Sequence, residues 1–161
     1  MKADLMIDIE TLGTRSTSRM LSIGVCIFHW DAWHSDTFKT FTWNINQASY
    51  AKKPYSELFT TDTATLKWWS EQEEDAAKAF LEDPVMLEDA LEEFSDLAQS
   101  VLGQNSHIWA NSPSFDLSII DNHCTMLDVR RPWNYWAEGD YRTFKIAYAT
   151  VTGDRFQNGL P

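Results

Sequence analysis

Two acidic residues stand inside an apolar stretch near the start of the chain, and they constrain the fold most. Residues 5–10 are otherwise apolar and lead into a Thr-Leu-Gly turn, which predicts a buried strand. Asp8 and Glu10 are two residues apart, so in a strand their side chains share a face, roughly 6–7 Å apart. Burying two like charges is costly unless a cation compensates. The pair therefore predicts either a divalent-metal site or the exposed end of the strand.

A third acid, Asp116, lies in a predicted helix. Ser112 and Pro113 are typical of a helix start and predict a helix that runs to about residue 127. A carboxylate at position 116 either caps its own helix or reaches towards the strand acids. Three carboxylates in one cleft would form an all-oxygen site suited to Mg²⁺ or Mn²⁺. Asp116 shares an apolar stripe at helical spacing with Ile119, Ile120, His123 and Leu127.

The remaining pattern predicts one α/β domain over residues 1–161. Apolar runs predict strands over 20–30 and 37–45, the second with Phe41, Trp43 and Ile45 on one face, and a turn over 31–35. A helix is predicted over about 63–71, capped by Asp62 or Thr61, and a short strand over 107–110. Three strands, then helices, a strand and a helix predict a mixed sheet flanked by helices.

The clearest helical stripe covers about residues 84–102. We expect Asp83 to cap this helix, Pro84 to lie in its first turn and Gly103 to close it. Acidic residues near its start would favour the positive end of the helix dipole. The apolar positions that recur at helical spacing are Leu87, Leu91, Phe94, Leu97, Ala98 and Val101.

Composition narrows the function classes. A formal net charge of −11 argues against general coating of nucleic acid, which depends on clustered Lys and Arg. A nuclease remains compatible with this negative charge, because bound cations would supply the positive charge that binds the substrate phosphate. Only two cysteines occur, which excludes a Cys-rich metal site. The first residues lack a signal-peptide pattern and no apolar run is long enough to span a membrane, so we expect a cytoplasmic protein.

Two segments resemble a known enzyme family. Asp8-Ile-Glu10-Thr-Leu-Gly and Trp109-Ala-Asn-Ser-Pro-Ser-Phe-Asp116 resemble the first two motifs of the DEDD 3′-to-5′ exonucleases. Residues 65–69, Thr-Leu-Lys-Trp-Trp, and 140–143, Asp-Tyr-Arg-Thr, look closest to the branch of phage exonuclease A-like and mycobacterial 3′-to-5′ exoribonuclease-like domains. The resemblance spans nearly the whole chain and suggests a prophage-type relative.

The resemblance implies a ribonuclease H-like fold and a two-metal reaction at the 3′ end of single-stranded DNA or RNA. It makes Asp8, Glu10 and Asp116 both the catalytic acids and the ligands of Mg²⁺ or Mn²⁺. It places Thr11, Leu12 and Phe115 at the terminal nucleotide, as substrate-binding residues. Of the paired tryptophans at 68 and 69, at least one is expected to pack in the core.

The chain departs from the family at the last motif, a helix that carries a His or Tyr and a fourth Asp. Neither His123, followed by Asp128, nor the helix beginning near Asp140 supplies it. His123 is expected to be an ordinary, partly buried histidine. We therefore expect a C-terminally incomplete domain that lacks this helix. Arg142 and Lys145 are expected on the solvated surface.

Three other interpretations stay open. A catalytically impaired, ribonuclease H-like nucleic-acid-binding module would explain the missing motif, whereas the three retained acids favour an enzyme. A haloacid dehalogenase-like phosphatase would need Asp at position 10 and a suitably placed Lys. Eight tryptophans exceed the usual need of a small core, so a homo-oligomer formed through an aromatic patch is compatible with the sequence.

Overall fold

A five-stranded mixed sheet forms the centre of the protein in the computed structural model, which describes residues 3–32, 38–73 and 78–153. The strand order is β3-β2-β1-β4-β5. Antiparallel pairs join β1 to β2 and β2 to β3, whereas β4 runs parallel to both β1 and β5. The strands are β1 (Asp4–Thr11), β2 (Met20–Phe28), β3 (Lys39–Asn44), β4 (Ile108–Ala110) and β5 (Glu138–Asp140).

Five α-helices whose bounds lie within the described ranges accompany the sheet. The helices α3 and α4 pack against β1, and α5 packs against β4. Helix α2 begins at the predicted cap, because the Asp62 side chain accepts hydrogen bonds from two backbone N–H groups of its first turn. The helices are α1 (Tyr55–Leu58), α2 (Thr63–Ser70), α3 (Leu87–Val101), α4 (Asp116–Met126) and α5 (Tyr141–Thr152). The predicted α/β class with a mixed, ribonuclease H-like sheet is confirmed.

The core lies between the sheet and the helices α3 and α4. From β1, Leu5, Ile7 and Ile9 enter it, and each is at most 4% exposed. Because side chains alternate along a strand, the odd positions of β1 face this core and the even positions face the opposite side. The predicted apolar stripes of both helices face the core, although Leu97, Val101 and Leu127 are only partly buried. The buried side chains of these helices include Leu87, Leu91, Phe94, Ala98, Leu117, Ile119 and Ile120.

Helix boundaries required correction. Helix α3 begins at Leu87 with Met86 as its N-cap, so Asp83 does not cap it and Pro84 lies outside its first turn. The backbone of Asp83 has a positive φ of 43°, which belongs to a turn. Leu102, and not Gly103, is the C-cap. In the same way, α4 begins at Asp116, because the residues from Ser112 onwards form a turn before it.

One strand of the sheet was not predicted, and two predicted segments lie largely outside the described residues. Strand β5 was not predicted, and it lies parallel to β4 at one edge of the sheet. Most of the turn predicted over 31–35 lies outside the described residues. The sequence of residues 153–161 predicts a loop-like ending, and all of this segment except Gly153 also lies outside them. Across the described ranges, none of the helices combines the length and apolar character that crossing a membrane requires.

Candidate active site

The two strand acids lie on the face of β1 that is turned away from the core. Asp8 is exposed and Glu10 is half-buried, whereas the odd-numbered neighbours Ile7 and Ile9 are buried. The partner of Asp8 on β2 is Gly24. A Cβ atom at this glycine would lie 3.3 Å from the Asp8 carbonyl oxygen, and no side chain projects there. The strand pairing therefore leaves open space beside Asp8.

Asp116 reaches the strand acids from the first turn of α4. Its Oδ1 accepts a hydrogen bond from the backbone N–H of Ile9 at 3.3 Å, although the two residues are 107 apart in sequence. Ile9 lies between Asp8 and Glu10, so this bond brings the third carboxylate against the strand pair. The side chain of Asp116 is only 4% exposed. We call Asp8, Glu10 and Asp116 the acid cluster.

The acid cluster lines a cleft of about 420 Å³. Phe115, the residue before α4, also lines it, as do the polar residues Asn111 and Ser112 from the turn after β4. One basic residue, Arg142 from the first turn of α5, contributes to the same lining. The cleft thus combines carboxylates from β1 and α4 with a cation from α5.

Burial and mutual repulsion shift the protonation equilibria of the acid cluster. Desolvation raises the pKa of Asp8. It is also the main cause of the raised pKa of Glu10, to which the charges of Asp8 and Asp116 add. Desolvation likewise raises the pKa of Asp116 more than the hydrogen bond from Ile9 lowers it. These carboxylates therefore lack sufficient positive charge nearby, which is the electrostatic condition of a site that binds cations.

The three carboxylates share the cleft without forming a ready-made metal centre. Within residues 3–32, 38–73 and 78–153, no group of three His, Cys, Asp or Glu side chains is arranged to hold a metal ion. The donor chemistry nevertheless fits a hard divalent cation, because all three side chains offer oxygen. Side-chain rotation on the fixed backbone is the adjustment that convergence on an ion would require.

Thr11 and Leu12, the other predicted contacts of the terminal nucleotide, do not line the acidic cleft. Thr11 is buried, and its hydroxyl donates to the Gly13 carbonyl oxygen at 2.6 Å. Leu12 lines a separate, mainly apolar cavity of about 340 Å³, together with Trp69. Trp69 is half-buried, and its indole N–H donates to the Thr11 carbonyl oxygen at 2.9 Å. Trp68 is 52% exposed, so one tryptophan of the pair packs and the other faces solvent.

His123 takes no part in the cleft. It is fully buried rather than partly buried, and it stacks on Phe59 with a centroid distance of 4.1 Å. Its Nε2 lies 3.1 Å from the Tyr50 hydroxyl, and its Nδ1 lies 2.8 Å from the Ile119 carbonyl oxygen. Burial lowers the pKa of His123 to about 4. It is a neutral core residue two turns along α4 from Asp116.

Sequence reasoning missed the placement of Arg142. It treated Arg142 and Lys145 as a surface pair, whereas only Arg142 lines the cleft. Lys145 lies one turn further along α5, with its Nζ 4.8 Å from the centroid of the Tyr141 ring. The available signal was the spacing of Arg142 from Asp140, the N-cap of α5, which fixes it in the first turn of that helix.

Solved nucleases share this fold. Escherichia coli exonuclease I, solved in complex with a dT13 oligonucleotide, superposes with a TM-score of 0.68 at 12% identity, over 99% of this chain and 32% of that chain. Cell-death related nuclease 4 gives 0.64 at 11% identity, over 100% of this chain and 52% of that chain. The zinc ion bound form of the exonuclease I–ssDNA complex gives 0.68 at 13% identity, over 100% of this chain and 33% of that chain. This chain thus spans about a third of exonuclease I and half of the second nuclease.

A family match to the sequence agrees with this fold, and the two together support a DEDD-type exonuclease domain. Residues 3–158 match the model of the Rv2179c-like 3′-5′ exoribonuclease domain. The chain therefore belongs to the Rv2179c-like 3′-5′ exoribonuclease domain family. No curated protein gave a significant sequence match. The finer assignment to a phage or mycobacterial branch stays a prediction.

Proposed function

We propose that this protein is a metal-dependent 3′-to-5′ exonuclease that hydrolyses phosphodiester bonds at the 3′ end of single-stranded RNA or DNA. The hydrogen bond from Ile9 to Asp116 carries the proposal, because it sets a carboxylate from α4 against Asp8 and Glu10 in one open cleft. Family membership supports the same reaction and favours RNA as the substrate. The solved exonuclease I complexes support a single-stranded partner.

The acid cluster would hold the divalent cations. Its all-oxygen donor set suits Mg²⁺ or Mn²⁺, and the raised pKa of each member favours cation binding as the way to compensate its charge. Two such ions, when bound, supply an activated water and stabilise the leaving 3′ oxygen. The residues of the chain itself fix the geometry. The backbone of β1 orients Asp8 and Glu10, and the N–H of Ile9 holds Asp116.

The terminal nucleotide would lie between the acidic cleft and the neighbouring apolar cavity. Phe115 is a wall of the cleft, and Leu12 is a wall of the cavity. Thr11 connects these two sites along the chain, and its carbonyl oxygen holds Trp69 in the cavity wall. At about 340 Å³, the cavity is large enough for a small planar ligand such as a base. We therefore assign Thr11, Leu12 and Phe115 to substrate binding.

The hydrolysis would also need a side chain that orients the attacking water in the cleft. In the part of the chain that the structure describes, no His or Tyr lines the cleft. We propose that the group that orients the attacking water lies outside these lining residues. The alternative is an impaired nucleic-acid-binding module, which the retained acid cluster disfavours. The cytoplasmic location, the prophage origin and the homo-oligomer remain predictions.

A cleavage ladder tests the function. Single-stranded RNA and DNA labelled at the 5′ end would be incubated with this chain and with the protein as its gene encodes it, each with Mg²⁺, Mn²⁺ or EDTA. We expect stepwise shortening from the 3′ end that EDTA abolishes. Comparison of the two substrates gives the sugar preference, because only RNA offers the 2′-hydroxyl.

Matched variants separate the site from the fold. Asp116→Asn keeps the oxygen that accepts from Ile9 but removes the charge, so cleavage should be lost while folding persists. The control is Asp121→Asn on the same helix, where the acid only pairs with Arg131 at 3.3 Å outside the cleft. Equal cleavage by both variants would overturn the assignment. Binding without any cleavage, by this chain and by the protein as its gene encodes it, would favour the binding module.

A further inference from the structure

Arg142 is a cation in a cleft whose other charges are negative. It lies in the first turn of α5, after the N-cap Asp140. Of the described residues that line the cleft, it alone is basic. Its position is unfavourable for the helix itself, because the first turn carries the positive end of the helix dipole. Helix stability therefore does not explain an arginine at this position.

The guanidinium of Arg142 makes no ion pair or hydrogen bond with the described residues, although its charge helps to lower the pKa of Asp140. No carboxylate lies within 4.0 Å of it, and none of the hydrogen bonds found within those residues comes from its side chain. Asp140 is occupied elsewhere, because its two oxygens accept from the backbone N–H and the hydroxyl of Thr143 at 3.1 and 2.7 Å. Arg131, by comparison, is paired with Asp121. Arg142 is thus a donor group left open towards the cleft.

Arg142 also does not neutralise the acid cluster. Its charge helps to lower the pKa of Asp140, the N-cap of α5, whereas the pKa of each member of the acid cluster stays raised. Arg142 follows directly on β5, which is two strands away from β1 in the sheet, so its backbone is roughly 10 Å from the strand acids at the usual strand spacing. A phosphate held at the acid cluster through cations would be too far from it for direct contact, whereas the next phosphate along a strand would not.

We propose that Arg142 binds the phosphodiester adjacent to the one that is cleaved, on its 5′ side. This inference rests on the proposed exonuclease function. A strand with a free 3′ hydroxyl has no phosphate beyond the scissile one, so the adjacent phosphate must lie on the 5′ side. The planar guanidinium matches two phosphate oxygens, which makes arginine suited to this contact. Arg142 would thereby fix the register of the strand, so that one nucleotide at a time is presented to the acid cluster.

A cycle that pairs a protein change with a substrate change tests the contact. Arg142→Gln would be compared with the wild-type protein on an oligonucleotide whose adjacent linkage is either natural or an uncharged methylphosphonate. We expect the variant to raise KM roughly 10- to 100-fold on the natural strand with a smaller change in kcat. On the methylphosphonate strand the variant and the wild type should have similar KM values, because the charge that Arg142 would meet is gone.

Salt dependence gives a readout that a structural role would not change. Loss of one phosphate contact should reduce the slope of log KM against log salt concentration by roughly 0.7 for a single strand. Arg142→Lys keeps the charge and should keep this slope, while it loses the bidentate geometry and part of the affinity. The matched control is Lys145→Gln, one turn along the same helix and outside the cleft, which should leave KM and slope unchanged.

The outcomes separate this inference from the function on which it rests. If the wild type cleaves and Arg142→Gln matches Lys145→Gln in KM, the assignment of Arg142 is overturned and the exonuclease stands. The assignment is also overturned if the increase in KM caused by Arg142→Gln is the same on the natural strand and on the methylphosphonate strand, because the two changes then act independently. If the wild type neither binds nor shortens either strand, the exonuclease and the Arg142 contact fail together. Should Arg142→Gln not fold, Arg142→Lys and the methylphosphonate strand decide the question.

Discussion

Asp4 and Asp8 lie on the same face of β1, and we predict opposite effects when each is changed to asparagine. Asp4 is completely buried. The indole N–H groups of Trp30 and Trp109 donate to its Oδ2 at 2.8 and 3.0 Å, and the backbone N–H of His107 donates to its Oδ1 at 2.9 Å. Asp8 is exposed, and no hydrogen bond of the described residues ends on its side chain. The first carboxylate stabilises the sheet, whereas the second repels its neighbours.

The size of the Asp4 effect follows from these three bonds. An asparagine oxygen at the Oδ2 position would keep both indole bonds, but in neutral form. The amide nitrogen would then face the N–H of His107, which loses its acceptor and meets another donor. Loss of this one bond to a charged group costs about 1.5–3 kcal/mol. That is a large part of the 5–15 kcal/mol typical of a whole domain.

The assay is urea unfolding followed by far-ultraviolet circular dichroism, in EDTA at neutral pH. Circular dichroism is preferable to tryptophan fluorescence, because Asp4 touches two of the indoles. We expect Asp4→Asn to lower the midpoint strongly at an unchanged slope, and Asp8→Asn to leave it unchanged or raise it. Asp8→Asn should nevertheless lose cleavage. An Asp4→Asn protein as stable as the wild type, or an Asp8→Asn protein as weakened as Asp4→Asn, would refute this reasoning.

Three other perturbations probe the same structure. In Gly139→Ala the new Cβ would lie 2.5 Å from two ring atoms of Trp109, so the free energy of unfolding should fall by about 1–3 kcal/mol. The control is Gly103→Ala, whose new Cβ would have its nearest contact at 3.9 Å. Equal melting temperatures of the two variants would contradict this prediction. Because the pKa of each member of the acid cluster is raised, the cation-free protein should lose stability as the pH rises through those pKa values. Mg²⁺ should restore this stability at pH 7. An unfolding curve that does not change when Mg²⁺ is added would argue against a cation site. The pKa of His123 is lowered to about 4, so the contribution of neutral His123 to folding stability is complete above pH 6.5 and is lost as the pH falls towards 4. If NMR showed this imidazole to titrate near 6.5, His123 would not be buried.

Local signals made most of the fold predictable from the sequence. Strand β1 follows from a continuous apolar run, and the start of α2 follows from Asp62, whose cap bonds depend only on the next few residues. The three acids of the cleft were named for their spacing and for the family motifs. Their meeting depends on the Ile9–Asp116 bond, which no local pattern encodes.

The errors arose where tertiary contacts decide the structure. The start of α3 was placed too early, because Val85 pairs with Ile45 as an isolated bridge and so stays extended. Strand β5 has the sequence Glu-Gly-Asp, which carries no apolar alternation; it pairs because Gly139 leaves room for the Trp109 ring. The placement of Arg142 depends on how α5 packs on β4. None of these contacts has a signal within one segment.

The parallel pairing of β1 with β4 has a consequence for the making of the protein in the cell. The acid on α4 and its strand partner are 107 residues apart, so at about 5–20 residues per second the ribosome needs roughly 5–20 s to supply the second half. Meanwhile β1, β2 and β3 can form their antiparallel meander, but β1 then presents an unpaired edge with the apolar Leu5, Ile7 and Ile9. Such an edge is a template for pairing with other nascent chains. The yield of soluble protein should therefore depend on translation speed and on holdase chaperones, more than on the stability of the finished domain.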